Sequence, residues 1–163
     1  MFNRKEIECS EICLIKANLM KAELEGVILS GRNLSKSNLR KAILKAANLK
    51  GADLTGAALS LADFSNANLT EALLSGAELI GTNFTGTKLI NADLRGASFS
   101  KAILKGADLT GADLRESTNL ACSQIVDTIL DCSTRFPEYL KITWSSSHTF
   151  QCRDRKSGIR DSS

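Results

Sequence analysis

Leucine recurs at every fifth residue over more than half of the chain. The series runs from Leu14 to Leu114 without a gap, and its 21 positions hold leucine or, at three places, phenylalanine. The residue two before each centre is alanine in 15 of the 21 units, and the residue two after it is glycine in 10. Asparagine or aspartate stands just before the centre in 11 units. The repeating unit is therefore Ala-(Asp/Asn)-Leu-x-Gly.

A period of five fits neither a helix nor one continuous strand. On an α-helix, residues five apart are rotated by about 140°, so the leucines form no stripe. On a strand, Leu49 and Leu54 would point to opposite faces because side chains alternate. The alanine and leucine within one unit, however, do share a face of an extended segment. We therefore expect short extended sides with inward Ala and Leu, each followed by a turn at which glycine supplies the backbone angles.

This repeat resembles that of the pentapeptide-repeat proteins, over residues 12–116. The resemblance implies an all-β solenoid, a right-handed quadrilateral β-helix with four units per coil and about five coils. With a strand spacing of ~4.8 Å, the stack would be roughly 25 Å long. Helical caps often follow such repeats, and some family members protect or inhibit DNA gyrase as acidic mimics of duplex DNA.

The register slips after Leu114, since residue 119 is asparagine and the next leucine is Leu120. Ile125, Ile129 and Leu130 are then spaced one helical turn apart behind Ser123, a residue type that caps helices. This predicts a short C-terminal helical cap that ends near Pro137. The predicted organisation is an N-terminal degenerate repeat or cap (1–11), the solenoid (12–116), a helical cap with an extension (117–144) and a flexible tail (145–163).

Arg32 breaks the rule of a small inward residue. An unpaired guanidinium inside an aliphatic core would cost several kcal/mol. We therefore expect either a bulge near Gly31 that lets Arg32 reach solvent beside Glu23 or Glu25, or a solenoid that is loose or interrupted there and becomes regular only after about residue 35.

The ends of the chain and its five cysteines predict a location. Glu6, Glu8 and Glu11 stand where a signal peptide would be apolar, and no apolar run reaches the roughly 18 residues of a membrane span. An odd number of cysteines without a signal sequence favours reduced thiols and a cytoplasmic protein. We expect no membrane association.

Catalytic and metal-binding patterns are weak. His148, the one histidine, lies in a serine-rich stretch, and Cys9 and Cys13 have no second pair to complete a zinc site. Asp53, Asp93 and Asp113 recur in one column and could bind a cation, but solvated corner residues have the same pattern. We expect a protein that is not an enzyme and has no cofactor and no metal.

Charge is unevenly distributed along the repeats. Residues 12–52 carry a net charge of +6, whereas residues 53–116 carry −3. Three apolar residues also occupy outward positions. An ordinary solvated surface with scattered apolar residues has the same composition, so that reading stays open. The residues of the candidate interaction surface are Lys36, Arg40, Lys41, Lys45, Lys50, Leu61, Leu73 and Ile80.

Two functions from different classes follow. The first is a non-catalytic structural or protein-interaction module, a monomer or homodimer whose partner is another protein; nucleic acid is disfavoured because aromatic residues do not accompany the basic ones. The second is a DNA-mimic regulator or protector of DNA gyrase or topoisomerase. The net charge of +3 over residues 12–116 disfavours it, because a DNA mimic needs an acidic surface.

Overall fold

The computed structural model of the chain describes residues 14–154. Parallel β-bridges join residues 20 apart, in an unbroken series from Asn18–Asn38 to Ser98–Thr118. Since each unit has five residues, four units complete one coil, and the coil has four sides. Each side has three extended residues and is followed by a two-residue turn, the corner. The predicted N-terminal unit, residues 1–11, lies outside the described residues.

We number the coils from residue 12 in steps of 20, so that coil 2 begins at Arg32 and coil 3 at Ala52. The sides are called A, B, C and D in chain order, and each corner takes the names of the two sides that it joins. In coil 1 the sides are centred on Leu14, Leu19, Leu24 and Leu29.

The inward Leu and Ala columns form the core that the repeat predicted. The central leucines of coils 2 to 4 are completely buried, and nearly all alanines of the small position are at most 4% exposed. Phe64 and Phe84 stack with ring centroids 5.5 Å apart, so the larger centres occupy successive coils of the same side. Continuous stacking of this kind stabilises repeats that could not bury their apolar face alone.

Two sets of backbone hydrogen bonds hold neighbouring coils together. The Leu24 amide donates to the Ile43 carbonyl (2.7 Å), and the Ile43 amide donates back to the Ala22 carbonyl (2.9 Å). The polar residue before each centre adds a local bond: the Thr55 amide, for example, donates to Asp53 Oδ1 at 2.9 Å. An Asp or Asn is favoured there because it accepts the amide that the corner leaves unpaired.

Arg32 does not interrupt the stack, so the expected bulge or loose segment is wrong. The Gly31 amide donates to Lys50 (2.8 Å), and the Arg32 carbonyl accepts from Asp53 (2.9 Å), which is the regular pattern. Arg32 is partly exposed, and no ion pair of the described residues joins it to Glu23 or Glu25. The Arg32 side chain therefore lies on side A of coil 2 without disturbing the backbone, near the N-terminal end of the stack.

The C-terminal helix is shorter than expected, and the solenoid continues beyond it. Helix α1 is Cys122–Ile125, it follows Ala121, and Ser123 is not its N-cap. Further along, Ile129 forms a parallel bridge with Asp108, and Arg135 forms one with Asp113. Coil 6, which begins at residue 112, is therefore irregular after residue 116, with α1 on its side C and Ile129 on its side D, and Arg135 lies on side A of one further turn.

Gln124 of α1 joins this irregular coil to the regular one before it. Its Nε2 donates to the carbonyls of Phe99 (2.9 Å) and Ala102 (2.8 Å). Its Oε1 accepts from the Ala121 amide at 2.8 Å. One side chain thus replaces backbone pairing at the place where the ladder is interrupted by the helix.

An antiparallel hairpin ends the described chain. Strand β1, Leu140–Trp144, pairs with strand β2, Phe150–Asp154. The flexible tail expected from residue 145 is therefore wrong for residues 145–154, which complete the hairpin. Trp144 and Phe150 contact each other with ring centroids 5.6 Å apart.

A disulfide between Cys122 and Cys152 links α1 to β2. The expectation of reduced thiols is therefore wrong for these two cysteines, whereas Cys132 is free and exposed. Their separation of 30 residues along the chain gave no sign of the pairing, which the hairpin brings about. Over residues 14–154, no helix has the length and apolar character needed to span a membrane.

Candidate interaction surface

Five cations lie on side B of coils 1 and 2 and on the corners at either end of it. We call this surface, residues 15–21 and 35–41, the lysine-edged side. It contains no acidic residue, and all five cations are exposed. One corner column holds Lys16 and Lys36, the other holds Lys21 and Lys41, and Arg40 lies beside Lys41.

The four lysines stand at backbone positions that suit glycine. Their φ angles are 56°, 59°, 59° and 60° for Lys16, Lys21, Lys36 and Lys41. A side chain in this left-handed region costs about 1 kcal/mol relative to glycine, which occupies ten such corners of this chain. Within each column the two ammonium groups also repel each other, because successive coils are only ~4.8 Å apart. Neither effect favours folding.

Backbone hydrogen bonds fix the position of these corners. The amides of Lys16 and Lys21 donate to carbonyls of the next coil at 2.9 Å each, and the amide of Lys41 donates to Ser60 at 3.0 Å. No carboxylate of the described chain forms an ion pair with the four lysines. As far as residues 14–154 are concerned, the surface therefore presents unpaired ammonium groups at corners that the backbone holds in place.

Arg40 differs from the lysines because it already binds a carboxylate. Its Nη2 donates to Glu78 Oε2 at 2.5 Å. The two residues are almost two coils apart, and the pair spans coil 3 where the small residues Ala58 and Ser60 lie. Both side chains are about half exposed, so the pair contributes little stability but shows that a carboxylate fits on this side.

Apolar residues continue the same side beyond the cations. Leu61 follows Lys41 in its corner column and is 58% exposed, and Ile80 lies in the same corner of the next coil at 43%. A Cβ at Gly81 would lie 2.8 Å from Leu61 Cδ2, so glycine gives the leucine its place. Met20, 44% exposed, lies at the basic end.

The structure thus brings together five of the eight predicted residues: Lys36, Arg40, Lys41, Leu61 and Ile80.

The other three lie on different parts of the coil. Lys45, at the C–D corner, pairs with Asp63 at 3.6 Å. Lys50, at the D–A corner, pairs with Glu71 at 3.8 Å. Leu73 forms its bridges on side A. The prediction grouped them by distance along the chain, whereas contact depends on the position within the 20-residue coil.

Lys16, Lys21 and Met20 were not among the predicted site residues. The signal that could have found them is the coil period, since Lys16 and Lys21 are each 20 residues before a predicted lysine, and Met20 is 20 before Arg40.

Two of the three aspartates considered as a cation column are paired with arginines instead, and Asp53 accepts the Thr55 amide. Arg95 donates to both oxygens of Asp93 (2.8 and 2.7 Å), and Arg115 does the same to Asp113. The side-chain hydrogen bond from each arginine lowers the pKa of its aspartate below 3.8. Within residues 14–154, no group of three or more His, Cys, Asp and Glu side chains could hold a metal ion.

A concave region lies at the C-terminal end of the described chain. A cleft of about 680 Å³ separates residues 115–118 from residues 136–139. Two of its polar groups are already engaged: Tyr139 Oη accepts the Leu120 amide at 3.0 Å, and Arg115 is bound to Asp113. Its lining also contains Glu116 and Glu138, but no histidine or cysteine.

Comparison with known proteins gives the relationship directly. The family model for pentapeptide repeats matches overlapping stretches that together span residues 17–116. No curated protein matches the chain.

Solved structures similar to the chain include three pentapeptide-repeat proteins. One from the thylakoid lumen of Arabidopsis thaliana is 35% identical, with 68% of this chain and 73% of that chain covered and a TM-score of 0.49. The protein Rfr23 from the cyanobacterium Cyanothece 51142 is 30% identical, with 74% and 88% covered and a TM-score of 0.43. One from Nostoc PCC 7120 is also 30% identical, with 77% and 78% covered and a TM-score of 0.29.

The family model covers more than half of the residues, and its units coincide with the sides of the coil. The chain belongs to the pentapeptide-repeat family.

Proposed function

We propose that this chain is a non-catalytic module that binds another protein through one side of its four-sided coil. The right-handed winding implied by the family resemblance is part of the proposal. The observation that carries it is the lysine-edged side, where four exposed lysines and Arg40 lie together and no carboxylate of residues 14–154 pairs with the four lysines. The left-handed corner itself is common to the coil and also occurs at Ala46 and Glu71, so the clustering of like charges, which does not favour folding, is the feature that points to a partner.

The pairing of two aspartates with arginines supports the non-catalytic part of the proposal. Asp93 and Asp113 are held by arginines, so they are anchored rather than poised to accept a proton. His148 is exposed in the hairpin turn, where its backbone amide donates to Ser146 Oγ, and no acidic side chain of residues 14–154 is bonded to it. The proposed binding role relies instead on the exposed cations and apolar residues of the described chain.

Regulation of DNA gyrase by DNA mimicry is the less favoured alternative. A DNA mimic offers carboxylates to a protein that binds phosphates, whereas the lysine-edged side offers ammonium groups. A supercoiling assay with purified gyrase, with and without the protein, tests the alternative. Inhibition or protection at equimolar protein would revive it.

The cytoplasmic location and the monomeric or dimeric state remain predictions. The disulfide Cys122–Cys152 favours an oxidising compartment, because such bonds persist there and are rare in the cytosol. Fractionation of the source cell, with the thiol state of the protein trapped at lysis, decides between the two expectations.

Site-specific photo-crosslinking in the source cell tests the module itself. A photoreactive residue at position 20, on the lysine-edged side, should give one or a few discrete protein adducts. The matched control is a photoreactive residue at position 25, an exposed corner of the same coil that faces away from side B. Adducts only from position 25 would show that the side is wrong, and no adduct from either position would contradict a protein-binding role.

A further inference from the structure

We propose that the partner presents an acidic segment with neighbouring apolar side chains, and that its carboxylates bind between the two lysine columns. This inference rests on the proposed protein-binding function and names the chemistry of the partner. Carboxylate groups would lie near Lys16, Lys21, Lys36 and Lys41, and the apolar side chains would contact Leu61 and Ile80.

Within residues 14–154 the four lysines have no carboxylate partner. Elsewhere on the coil, cations of coil 2 reach carboxylates of later coils, as Lys45 reaches Asp63 and Lys50 reaches Glu71. Next to the lysine columns, the corresponding corner positions of coil 3 are Gly56 and Leu61. The A–B corner holds glycine at 56, 76 and 96, so the anions that would neutralise Lys16 and Lys36 are missing from their own column.

A carboxylate of the chain itself already lies at the border of this surface. Glu78 reaches Arg40 across coil 3, and among the described residues no carboxylate pairs with the four corner lysines beside it. An incoming carboxylate would have the same chemistry as Glu78 and would relieve the repulsion within each lysine column. The interaction therefore gains from two sources, attraction to the partner and loss of repulsion in the free protein.

The arrangement of the cations favours a protein partner over a nucleic acid. Within the described residues the five cations lie on two adjacent coils, and coils 3 and 4 separate them from Lys101 in the same corner column, so they form a compact cluster rather than a track for a phosphate backbone. No aromatic side chain of the described chain lies on this side for base stacking; Phe99 is buried and Trp144 belongs to the hairpin. The cluster is followed by Leu61 and Ile80, which a protein partner would cover.

Binding of a synthetic peptide measures this directly. The probe is a fluorescent oligoglutamate peptide, used alone and with leucines appended, in an anisotropy titration at low salt. We expect saturable binding that weakens when the ionic strength rises from 0.01 M to 0.15 M, because the screening length falls from about 30 Å to about 8 Å.

The edge variant carries Lys16→Asn, Lys21→Asn, Lys36→Asn and Lys41→Asn. Asparagine tolerates the left-handed corner, so this variant should fold with an unchanged or higher Tm. Its control variant carries Lys50→Asn, Lys88→Asn, Lys105→Asn and Lys141→Asn, four exposed lysines outside the two lysine columns whose removal changes the net charge equally. We expect the edge variant to lose at least about tenfold in affinity and the control less than about twofold.

The contribution of the apolar residues Leu61 and Ile80 is measured separately. Leu61→Asn with Ile80→Ser should weaken binding of the leucine-bearing peptide and leave the plain oligoglutamate unchanged. Equal losses in the edge and control variants would reduce the effect to net charge and overturn the proposal. Absence of saturable binding, or tighter binding of a duplex DNA probe of equal charge, would also overturn it. If position 20 still crosslinks to the same protein in the edge variant, the proposed protein-binding function is supported, and the proposal that the partner binds the lysines through carboxylates is contradicted.

Discussion

The small inward position shows how narrowly a single residue is constrained. Where threonine replaces alanine, its hydroxyl finds an acceptor in the preceding coil: Thr82 donates to the Leu59 carbonyl at 2.8 Å and Thr87 to the Phe64 carbonyl at 2.7 Å. Serine at the same position does not achieve this, and the hydroxyls of Ser37 and Ser117 are buried without a partner. The methyl group of threonine fixes the rotamer that directs its hydroxyl to the carbonyl.

Ser37→Ala should therefore stabilise the protein. The change removes a buried hydroxyl without a hydrogen bond and should raise the free energy of unfolding by about 0.5–1 kcal/mol. Thr87→Ala is the matched control, because it removes a hydroxyl that is bonded, and it should lower that free energy by about 1 kcal/mol. Urea titration of both variants measures the two effects; a loss of stability in Ser37→Ala would show that the hydroxyl has an acceptor after all.

Ala67→Arg should abolish folding. Ala67 is 1% exposed between the coils above and below it, where a guanidinium has neither volume nor counter-ion. Ser65→Arg, at the neighbouring corner, places the same side chain in solvent and should leave the fold intact. Circular dichroism melts compare the two, and equal thermal stability would contradict the inward assignment of residue 67.

Arg32→Ala tests how the one charged residue at the small position is tolerated. Since the hydrogen bonds around Arg32 are regular, the change restores the consensus without any rearrangement of the backbone. We expect the free energy of unfolding to rise by about 1 kcal/mol, as a partly buried charge is removed. A clearly lower Tm would mean that the guanidinium makes a stabilising contact.

At the scale of the elements, the sequence predicted the regular coils well and their end poorly. The period of five and the small position determine the sides because both require an extended segment followed by a turn. Beyond residue 116 the period persists with one inserted residue, in Leu120, Ile125 and Leu130, which are all at most 2% exposed. Read at helical spacing together with Ile129, the same residues predicted a longer helix.

The interaction surface could be predicted only in part for a related reason. Charge along the chain identified the basic coils, but the side on which each lysine lies depends on its remainder after division by the coil period of 20 residues. The disulfide and the hairpin have no periodic signal. Their formation depends on long-range contacts, such as that of Cys122 with Cys152, which no local pattern encodes.

The disulfide should stabilise the end of the stack by restricting the unfolded chain. For a loop of 30 residues, loop-closure entropy gives about 3–4 kcal/mol. We expect Cys152→Ser to lower the Tm, and dithiothreitol to lower the Tm of the wild type to a similar value. Cys132→Ser, at the free and exposed cysteine, is the control and should have no effect. An unchanged Tm in Cys152→Ser would show that the hairpin is held by its packing alone.

On the scale of the whole molecule, the stack is a rod whose two halves differ in charge and in how they are completed. The basic half carries the lysine-edged side, whereas the other half carries the arginine-paired aspartates and the irregular sixth coil. Because each coil contacts mainly its neighbours, stability at one end and binding at the other can vary independently. The charges of the proposed binding surface can therefore be changed without disturbing the core.

The C-terminal segment should protect the open edge of coil 5. The amides of Gly106 and Leu109 donate to Asp127 and Ile129 of the irregular coil at 2.7 and 2.9 Å. Ending the chain at residue 120 removes these acceptors together with Gln124, and it leaves a row of unpaired groups that can pair with another chain. We expect this fragment to self-associate, as measured by light scattering after gel filtration.

Ending the chain at residue 144 is the matched truncation, because it keeps the irregular coil and removes only β2 and the residues after it. The fragment that ends at residue 144 also carries Cys122→Ser, so that the thiol left by the loss of Cys152 does not crosslink it. The loss of residues 145–163 was expected from the sequence to be harmless. Since β2 and Cys152 belong to the hairpin, we now expect a monomer with a lower Tm than the full chain. A monomeric 1–120 fragment would show that coil 5 tolerates an open edge, and aggregation of both fragments would assign the protection to the hairpin instead of to the irregular coil.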